Sequence, residues 1–257
     1  MLPRVARTAP PGATGRRPRV SVVVPALDEA ERLPALLADL AAQTLPAAEV
    51  IVADGGSSDG TAGLAEAGGA RLVRSERRGP ADQRNAGAAV AAGDLLLFVD
   101  ADVRLSPGFL DSLTAEAARR RLDVACPVFR PVTASRAVRA FFGVMNVVFL
   151  ATAPVAASGA GMCIAIRRDL FEHLGGFDPR FRFEDAELLR RAGRAARYRV
   201  VPVPVRVSDR RFRRDGVGVT IGRYAAIGVL IALGMFRAAN AVGYAYGAYR
   251  PERLGTP

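Results

Sequence analysis

Two acidic residues at the end of an apolar run are the most informative feature of the chain. Residues 95–99 are all apolar, which is typical of a strand buried on both faces of a parallel sheet. Asp100 and Asp102 follow, and residues two apart in an extended chain project to the same side. Such carboxylates repel each other, whereas Mg²⁺ or Mn²⁺ prefers oxygen ligands completed by water and phosphates. The pair therefore predicts a metal and diphosphate site, and a solvated acidic turn is the alternative.

The composition favours one large α/β domain and a phosphate-bearing ligand. Of 257 residues, 50% are hydrophobic, enough to bury a substantial core. The net charge is +11, and all 36 basic residues are arginines, which bind phosphate bidentately. The arginines are dispersed, Trp is absent and no nucleic-acid motif accompanies them, so nucleic acid is not expected as a partner. Cys126 and Cys163 are predicted to be reduced core residues, compatible with a cytoplasmic location.

Apolar runs that alternate with helical patterns predict a sheet of parallel strands. The predicted strands are residues 20–24, 49–53, 70–74, 95–99, 123–127 and 163–166. The predicted helices are residues 31–43, 81–92, 168–174 and 186–195, with others beginning at residue 61 and near residues 106–108. Asp28 is the expected N-cap of the first helix. Three successive β-α units indicate a right-handed, doubly wound sheet.

A polar, glycine-rich segment follows the second predicted strand. Its glycines permit tight turns and close approach of a ligand, and Ser57, Ser58 and Asp59 are suited to cap the helix that begins at Thr61. Asp54 lies where the strand ends, in the crevice where open α/β sheets bind ligands. The segment has neither the P-loop nor the dinucleotide-binding glycine pattern.

Further candidate residues occur at helix starts and beside glycines. Arg84 begins a predicted helix and either reaches a base or phosphate or forms a surface ion pair. Glu184 and Asp185 follow a glycine-rich turn, and they are either a helix cap or a catalytic base that accepts a hydroxyl proton. Gly161 would let the backbone approach a sugar. His173 is predicted to be a surface residue.

Two apolar segments bear on membrane contact. Residues 140–166 carry no charge, but Pro154 and small residues leave about a dozen strongly apolar positions where a span needs about twenty. A core or interfacial helix is expected there. Residues 217–236 are apolar apart from Arg223, and flanking arginines with Tyr244, Tyr246 and Tyr249 favour a helix at the membrane surface. The alternative is an arm packed on the domain or on a second subunit of a homodimer.

These patterns divide the chain into three parts. Residues 1–19 are predicted to be a disordered basic tail, and residues 20–215 the main domain. Residues 216–257 are predicted to be an apolar helical extension.

Six short motifs occur in order along about residues 20–200. They are Val-Val-Val-Pro-Ala-Leu-Asp-Glu from Val22, Asp-Gly-Gly-Ser-Ser-Asp-Gly-Thr from Asp54, Arg84-Asn85-Ala86-Gly87, Asp100-Ala101-Asp102, Gly175-Gly176-Phe177-Asp178 and Glu184-Asp185. Their joint order and spacing resemble the inverting family 2 glycosyltransferases, which have the GT-A fold. The resemblance implies a doubly wound, mainly parallel sheet flanked by helices, to which the apolar extension is appended.

The resemblance also implies how the donor is bound. Asp54 and Arg84 would hold the nucleobase, in a pocket lined by Pro25, Leu27 and Glu29. The ligand would be a nucleotide-diphosphate sugar.

The remaining implied roles concern catalysis. Asp100 and Asp102 would hold the ribose and a Mg²⁺ or Mn²⁺ ion on the diphosphate, Asp185 would be the base, and Glu184 is the second candidate. Many family members carry a downstream histidine as metal ligand, which this chain lacks. The basic run 206–214, which includes Arg210, Arg211, Arg213 and Arg214, would bind the phosphate of the leaving group or of the acceptor instead, and a solvated basic surface is the alternative.

The implied reaction is transfer of the sugar to an acceptor hydroxyl with inversion, on a glycolipid, polysaccharide or other glycoconjugate. A lipid-linked acceptor would agree with attachment to the cytoplasmic face of a membrane. Two alternatives stay open: transfer to a polyprenyl phosphate, and a catalytically silent protein that binds nucleotide sugars or acts as a membrane scaffold.

Overall fold

The computed structural model describes residues 17–153, 157 and 159–242, and its centre is one seven-stranded sheet. The strands are β1 (Val20–Ala26), β2 (Glu49–Asp54), β3 (Arg71–Arg74), β4 (Leu95–Val99), β5 (Val124–Val132), β6 (Cys163–Arg167) and β7 (Tyr198–Ser208). Their order across the sheet is β3-β2-β1-β4-β6-β5-β7. The predicted doubly wound, mainly parallel sheet is confirmed, because every adjacent pair is parallel except those that include β6.

Helices cover both faces of this sheet. They are α1 (Leu33–Ala41), α2 (Thr61–Ala67), α3 (Pro80–Ala89), α4 (Phe109–Arg120), α5 (Arg136–Thr152), α6 (Arg168–His173), α7 (Glu184–Ala195), α8 (Arg210–Asp215), α9 (Val217–Ala232) and α10 (Phe236–Ala241). Side chains alternate along each strand, so Val22 and Val24 pack with α1 and α4, whereas Val23 packs on the other face with α3 and α6. The core is therefore two apolar layers separated by the sheet.

The antiparallel strand β6 determines what lies beside the acidic motif. Val99 at the end of β4 pairs with Cys163 at the start of β6. As a result the segment before β6 lies next to the residues after β4, and the Asp100 N–H donates to the Met162 carbonyl at 3.1 Å. Two loops that are distant in sequence thus meet at one edge of the sheet.

Strand β7 was not predicted from the sequence. Pro202 and Pro204 interrupt its apolar pattern, and proline weakens the signal of a strand because it cannot donate to the ladder. In the fold β7 is an edge strand, where proline is tolerated, and its pairing with β5 shifts register between Pro127 and Val128.

The predicted N-cap role of Asp28 is wrong. Helix α1 begins at Leu33 after Arg32, which makes no side-chain cap. Asp28 has a φ of 53° and accepts a hydrogen bond from the Ser58 N–H at 2.8 Å, so it joins the loops after β1 and β2 instead. Cys126 and Cys163 are free and buried, as expected, and His173 is exposed.

The two apolar segments form α5 and α9. Among the described residues, no helix is both long enough and apolar enough to cross a bilayer. Helix α9 packs on the domain through Ile227, and the Tyr224 ring stacks on Phe141 at 5.9 Å. Most of the predicted basic tail, and the tyrosines at 244, 246 and 249, lie outside the described residues.

Candidate active site

A cavity of about 1610 Å³ opens where the loops after β1 and β4 meet the segment before β6. Ten of the eleven predicted site residues line it, and Asp54 does not. Those lining it are Pro25, Leu27, Glu29, Arg84, Asp100, Asp102, Gly161, Glu184, Asp185 and Arg211. The fold therefore brings together residues separated by nearly 190 positions.

Arg84 lies at the centre of the site and is not a surface residue. Its side chain is 5% exposed, and Nη1 donates to Glu184 Oε1 at 2.5 Å. Nη2 donates to Asp100 Oδ1 at 2.7 Å and to the Gly161 carbonyl at 3.3 Å. One guanidinium thus bridges Asp100, after β4, and Glu184, at the start of α7. A lysine ammonium could not provide this planar, two-sided geometry.

The residue after Arg84 fixes the turn that precedes α7. The side-chain amide of Asn85 donates to the Phe177 carbonyl at 2.8 Å, and its Oδ1 accepts from the Phe177 N–H at 2.9 Å. The Phe177 ring lies 5.4 Å from the Arg84 guanidinium carbon. The motif Arg84-Asn85-Ala86-Gly87 therefore holds the loop formed by the motif Gly175-Gly176-Phe177-Asp178 in place through hydrogen bonds.

Asp185 is in close contact with Gly161. Its Oδ2 accepts from the Gly161 N–H at 2.5 Å, and a Cβ added at Gly161 would lie 2.6 Å from the Cβ of Asp185. Only glycine allows this approach. The contact with Asp185 therefore explains the glycine at position 161, whereas the predicted explanation was a contact with the sugar. Burial raises the pKa of Asp185, although Arg84 and hydrogen bonds from Ala186 and Gly161 oppose the increase.

Asp102 lies opposite a basic residue from α8. Its Oδ2 is 3.5 Å from Arg210 Nη2, which is also 3.7 Å from Glu29 Oε1. Burial raises the pKa of Asp102, and repulsion from Asp100 raises it further, whereas Arg210 opposes the change. Arg210 belongs to the basic run that is predicted to bind phosphate, and its contact with Asp102 brings it into the cavity.

The donor set fits a hard divalent cation. Two repelling carboxylates at the mouth of a roomy cavity match the one or two carboxylates that Mg²⁺ commonly takes, with the other positions filled by water and phosphate. Within residues 17–153, 157 and 159–242, no group of three or more His, Cys, Asp or Glu side chains is arranged to hold a metal. Asp100 and Asp102 would therefore need oxygens from the ligand to complete the coordination.

Asp54 organises its own loop. Its carboxylate accepts from the Gly56 and Ser57 N–H groups at 3.2 and 3.1 Å and from the Ser57 hydroxyl. Ser57 Oγ in turn accepts from the Asp28 N–H at 3.0 Å, and Asp59 accepts from the Thr61 N–H at 3.1 Å. The predicted contact of Asp54 with a nucleobase stays a prediction.

The comparisons with known proteins agree with this architecture. The model of the family described as Glycosyl transferase family 2 matches residues 21–175. The chain is 39% identical over 116 residues to the validoxylamine A glucosyltransferase of Streptomyces hygroscopicus subsp. jinggangensis, which covers 42% of this chain and 28% of that protein. It is 31% identical over 198 residues to the O-antigen biosynthesis protein RfbC of Myxococcus xanthus, over 66% of this chain and 16% of that protein.

A solved structure extends the similarity to the fold. The mannosyltransferase PcManGT of Pyrobaculum calidifontis, in complex with GDP-Man and Mn²⁺, aligns with a TM-score of 0.63 and 25% identity, over 77% of this chain and 58% of that one. The matches to the two curated relatives span less than a third of the length of either.

Proposed function

Because the chain belongs to glycosyl transferase family 2, we propose that it transfers a sugar from a nucleotide-diphosphate sugar to an acceptor hydroxyl, with inversion at the anomeric carbon. This proposal is supported by one observation: Asp185, Asp100 and Asp102 line the same cavity, and Arg84, which donates to Asp100, also lies near Asp185. The GDP-Man and Mn²⁺ bound to the similar mannosyltransferase support a nucleotide-sugar donor and a divalent cation.

Asp185 is the better candidate for the base. Glu184 is buried and already accepts from Arg84 Nη1, so its charge is neutralised within the protein. Both residues line the cavity, but Asp185 accepts from the Gly161 N–H and not from the Arg84 guanidinium, and its raised pKa makes its carboxylate a stronger proton acceptor than an exposed aspartate. It would take the acceptor proton while the hydroxyl oxygen attacks the anomeric carbon from the face opposite the diphosphate.

The other end of the site would stabilise the leaving group. Asp100 and Asp102 would hold Mg²⁺ or Mn²⁺, which when bound neutralises charge on the departing nucleoside diphosphate. Arg210 lines the same cavity, with Nη2 3.5 Å from Asp102 Oδ2, and would donate to phosphate oxygens of the leaving group. Arg84 keeps Asp100 and the start of α7 at a fixed separation, so the donor and the base are aligned before the acceptor arrives.

The test is a screen of UDP- and GDP-sugars with Mn²⁺, in which release of the nucleoside diphosphate is measured for the full chain and for Asp185→Asn. We expect the variant to lose about 10²–10⁴-fold in turnover while donor affinity changes little, because Asn keeps the shape but cannot accept the proton. The activity of the unmodified chain should fall with acid at a pH above about 3.9, the ordinary value for aspartate, since the pKa of Asp185 is raised.

Two outcomes would count against this proposal. Tight metal-dependent binding of nucleotide sugars without turnover would favour a silent binding protein. Unchanged turnover by Asp185→Asn would favour an acceptor that needs no base, such as a polyprenyl phosphate, or would move the base to Glu184.

A further inference from the structure

Part of the cavity lining is apolar. It is formed by side chains of α5 and α9 and of Leu233, the residue that follows α9, and we name it the apolar wall. Its principal side chains are Val144, Val148, Phe149, Ile227, Val229 and Leu233. None of these six residues is among those assigned above to the nucleotide-sugar donor, whose sugar and diphosphate are polar.

The apolar wall is continuous with the outside of the protein. Val144 and Val148 of α5 are 64% and 48% exposed, and Val229 of α9 and the following Leu233 are 59% and 68% exposed, yet all four line the cavity. Exposed apolar side chains grouped around an opening are typical of a surface that binds an apolar ligand. The cavity volume of about 1610 Å³ also exceeds the 300–1,000 Å³ of an ordinary ligand pocket, which leaves room for a second ligand beside the donor.

Helix α9 leads from the proposed base to this opening. Ile227 packs against Phe183, the residue before the acidic start of α7. Tyr224 also lines the cavity, and its hydroxyl accepts from Arg211 Nη1 at 3.3 Å. From Tyr224 to its end at Ala232 the helix rises about 12 Å, at about 1.5 Å per residue.

Positive charge borders the apolar wall. Ten arginines and six acidic residues line the cavity, so the lining carries an excess of cations even when every carboxylate is ionised. Arg211 Nη1 donates to the Tyr224 hydroxyl at 3.3 Å, and the Arg190 guanidinium lies 5.3 Å from the Phe236 ring centroid. Arg190 Nη2 donates to Glu187 Oε1 at 3.3 Å, whereas its Nε is buried without a hydrogen-bond partner in the part of the chain that the structure describes. Such arginines beside an apolar surface suit a ligand with an anionic group joined to an apolar chain.

We propose that the acceptor carries an alkyl or polyprenyl chain, joined to it through phosphate, and that the apolar wall binds this chain. Binding of the chain would present the acceptor hydroxyl to Asp185. The inference rests on the proposed function, because it names the class of the second substrate at the same site.

The test uses n-alkyl phosphates from hexyl to dodecyl, below their micelle concentrations, with binding to the full chain measured by calorimetry. Affinity should increase about fourfold for each added methylene that is buried, until the chain outgrows the wall. Val148→Asp and Val229→Asp should each weaken dodecyl phosphate binding by tenfold or more. Val147→Asp and Val219→Asp are matched controls, because these residues are exposed on the same two helices and do not line the cavity. Thermal unfolding confirms that all four variants fold.

The outcomes separate this inference from the proposed function. Affinity that does not depend on chain length overturns the inference, and so does an equal loss in the control variants, which would indicate a general apolar surface. A dimer that Val148→Asp dissociates also overturns it, because the wall would then be a subunit interface. Donor turnover by the unmodified chain is measured separately: turnover without chain-dependent binding refutes the acceptor site alone, and chain-dependent binding without turnover refutes the proposed function alone.

Discussion

Replacing Arg84 with methionine should destabilise the protein more than any other single change at the site. The variant keeps most of the apolar length of the side chain but removes the cation that Glu184 and Asp100 share. Arg84 and Glu184 are 5% and 3% exposed, so Glu184 would be left as an unpaired buried charge. Breaking a buried pair in this way costs about 3–5 kcal/mol of the free energy of unfolding, which for a chain of this size lowers the Tm by about 6–20 °C.

Asp100 contributes less to this loss. Its side chain is 32% exposed, so water takes over part of its solvation when Arg84 is removed. Arg84→Lys serves as the matched variant, because it keeps the charge but a single ammonium group cannot bridge both carboxylates. We expect its stability to lie between those of Arg84→Met and the unmodified chain.

A double-mutant cycle with Glu184→Gln isolates the pair. Urea unfolding of the four proteins gives the free energies. Glu184→Gln should cost much less in the Arg84→Met background than alone, because there it removes the unpaired carboxylate, whereas alone it leaves the Arg84 cation without that partner. The stability deficit of Arg84→Met should be largest above about pH 8 and shrink as the pH falls, because Arg84 opposes the increase that burial causes in the pKa of Glu184, and without Arg84 that pKa rises further and protonation removes the unpaired charge. Effects that add within about 0.5 kcal/mol would refute the coupling of Arg84 to Glu184.

Three further predictions test the metal site, the glycine and the extension. Asp102→Asn should weaken Mn²⁺-dependent binding of a nucleoside diphosphate by about tenfold or more, or about 1.4 kcal/mol, in calorimetry, and unchanged affinity would remove Asp102 from the site. Gly161→Ala should lower turnover by about 10²-fold by displacing Asp185, whereas Gly218→Ala, with no atom within 4 Å of its added Cβ, should not. The full chain should sediment with anionic vesicles at low salt and be released at high salt, and a chain that stays in the supernatant would refute membrane contact by residues 216–257.

Local patterns in the sequence were sufficient to predict most of the sheet. The strand before Asp100 could be predicted because five consecutive apolar residues need burial on both faces, and the acids after it mark where the strand ends. Strand β7 could not be predicted in the same way, because its two prolines are compatible with a strand only at a sheet edge, and the edge position depends on the rest of the fold.

The contacts of Arg84 required the structure. Its partner Glu184 lies 100 residues away, and nothing local distinguishes a helix-start arginine that faces solvent from one that is enclosed by two acids. The position of α9 also could not be predicted from local sequence. Its apolar residues were evident in the sequence, but the packing of Ile227 beside the acidic start of α7 depends on how the chain returns after β7.

The direction of β6 determines which loop completes the site. Strand β6 runs antiparallel to β4, so the segment before Cys163 lies beside Asp100, and Gly161 can meet both Arg84 and Asp185. If β6 were parallel to β4, the carboxyl end of β6 would lie beside Asp100, and Arg167 and Arg168 would take the place of Gly161. The apolar run of β6 is equally compatible with either direction, since a strand buried on both faces has no polar side to orient it. The close contact of Gly161 with Asp185 is therefore a consequence of topology, and the Gly161→Ala variant tests the site and the strand direction together.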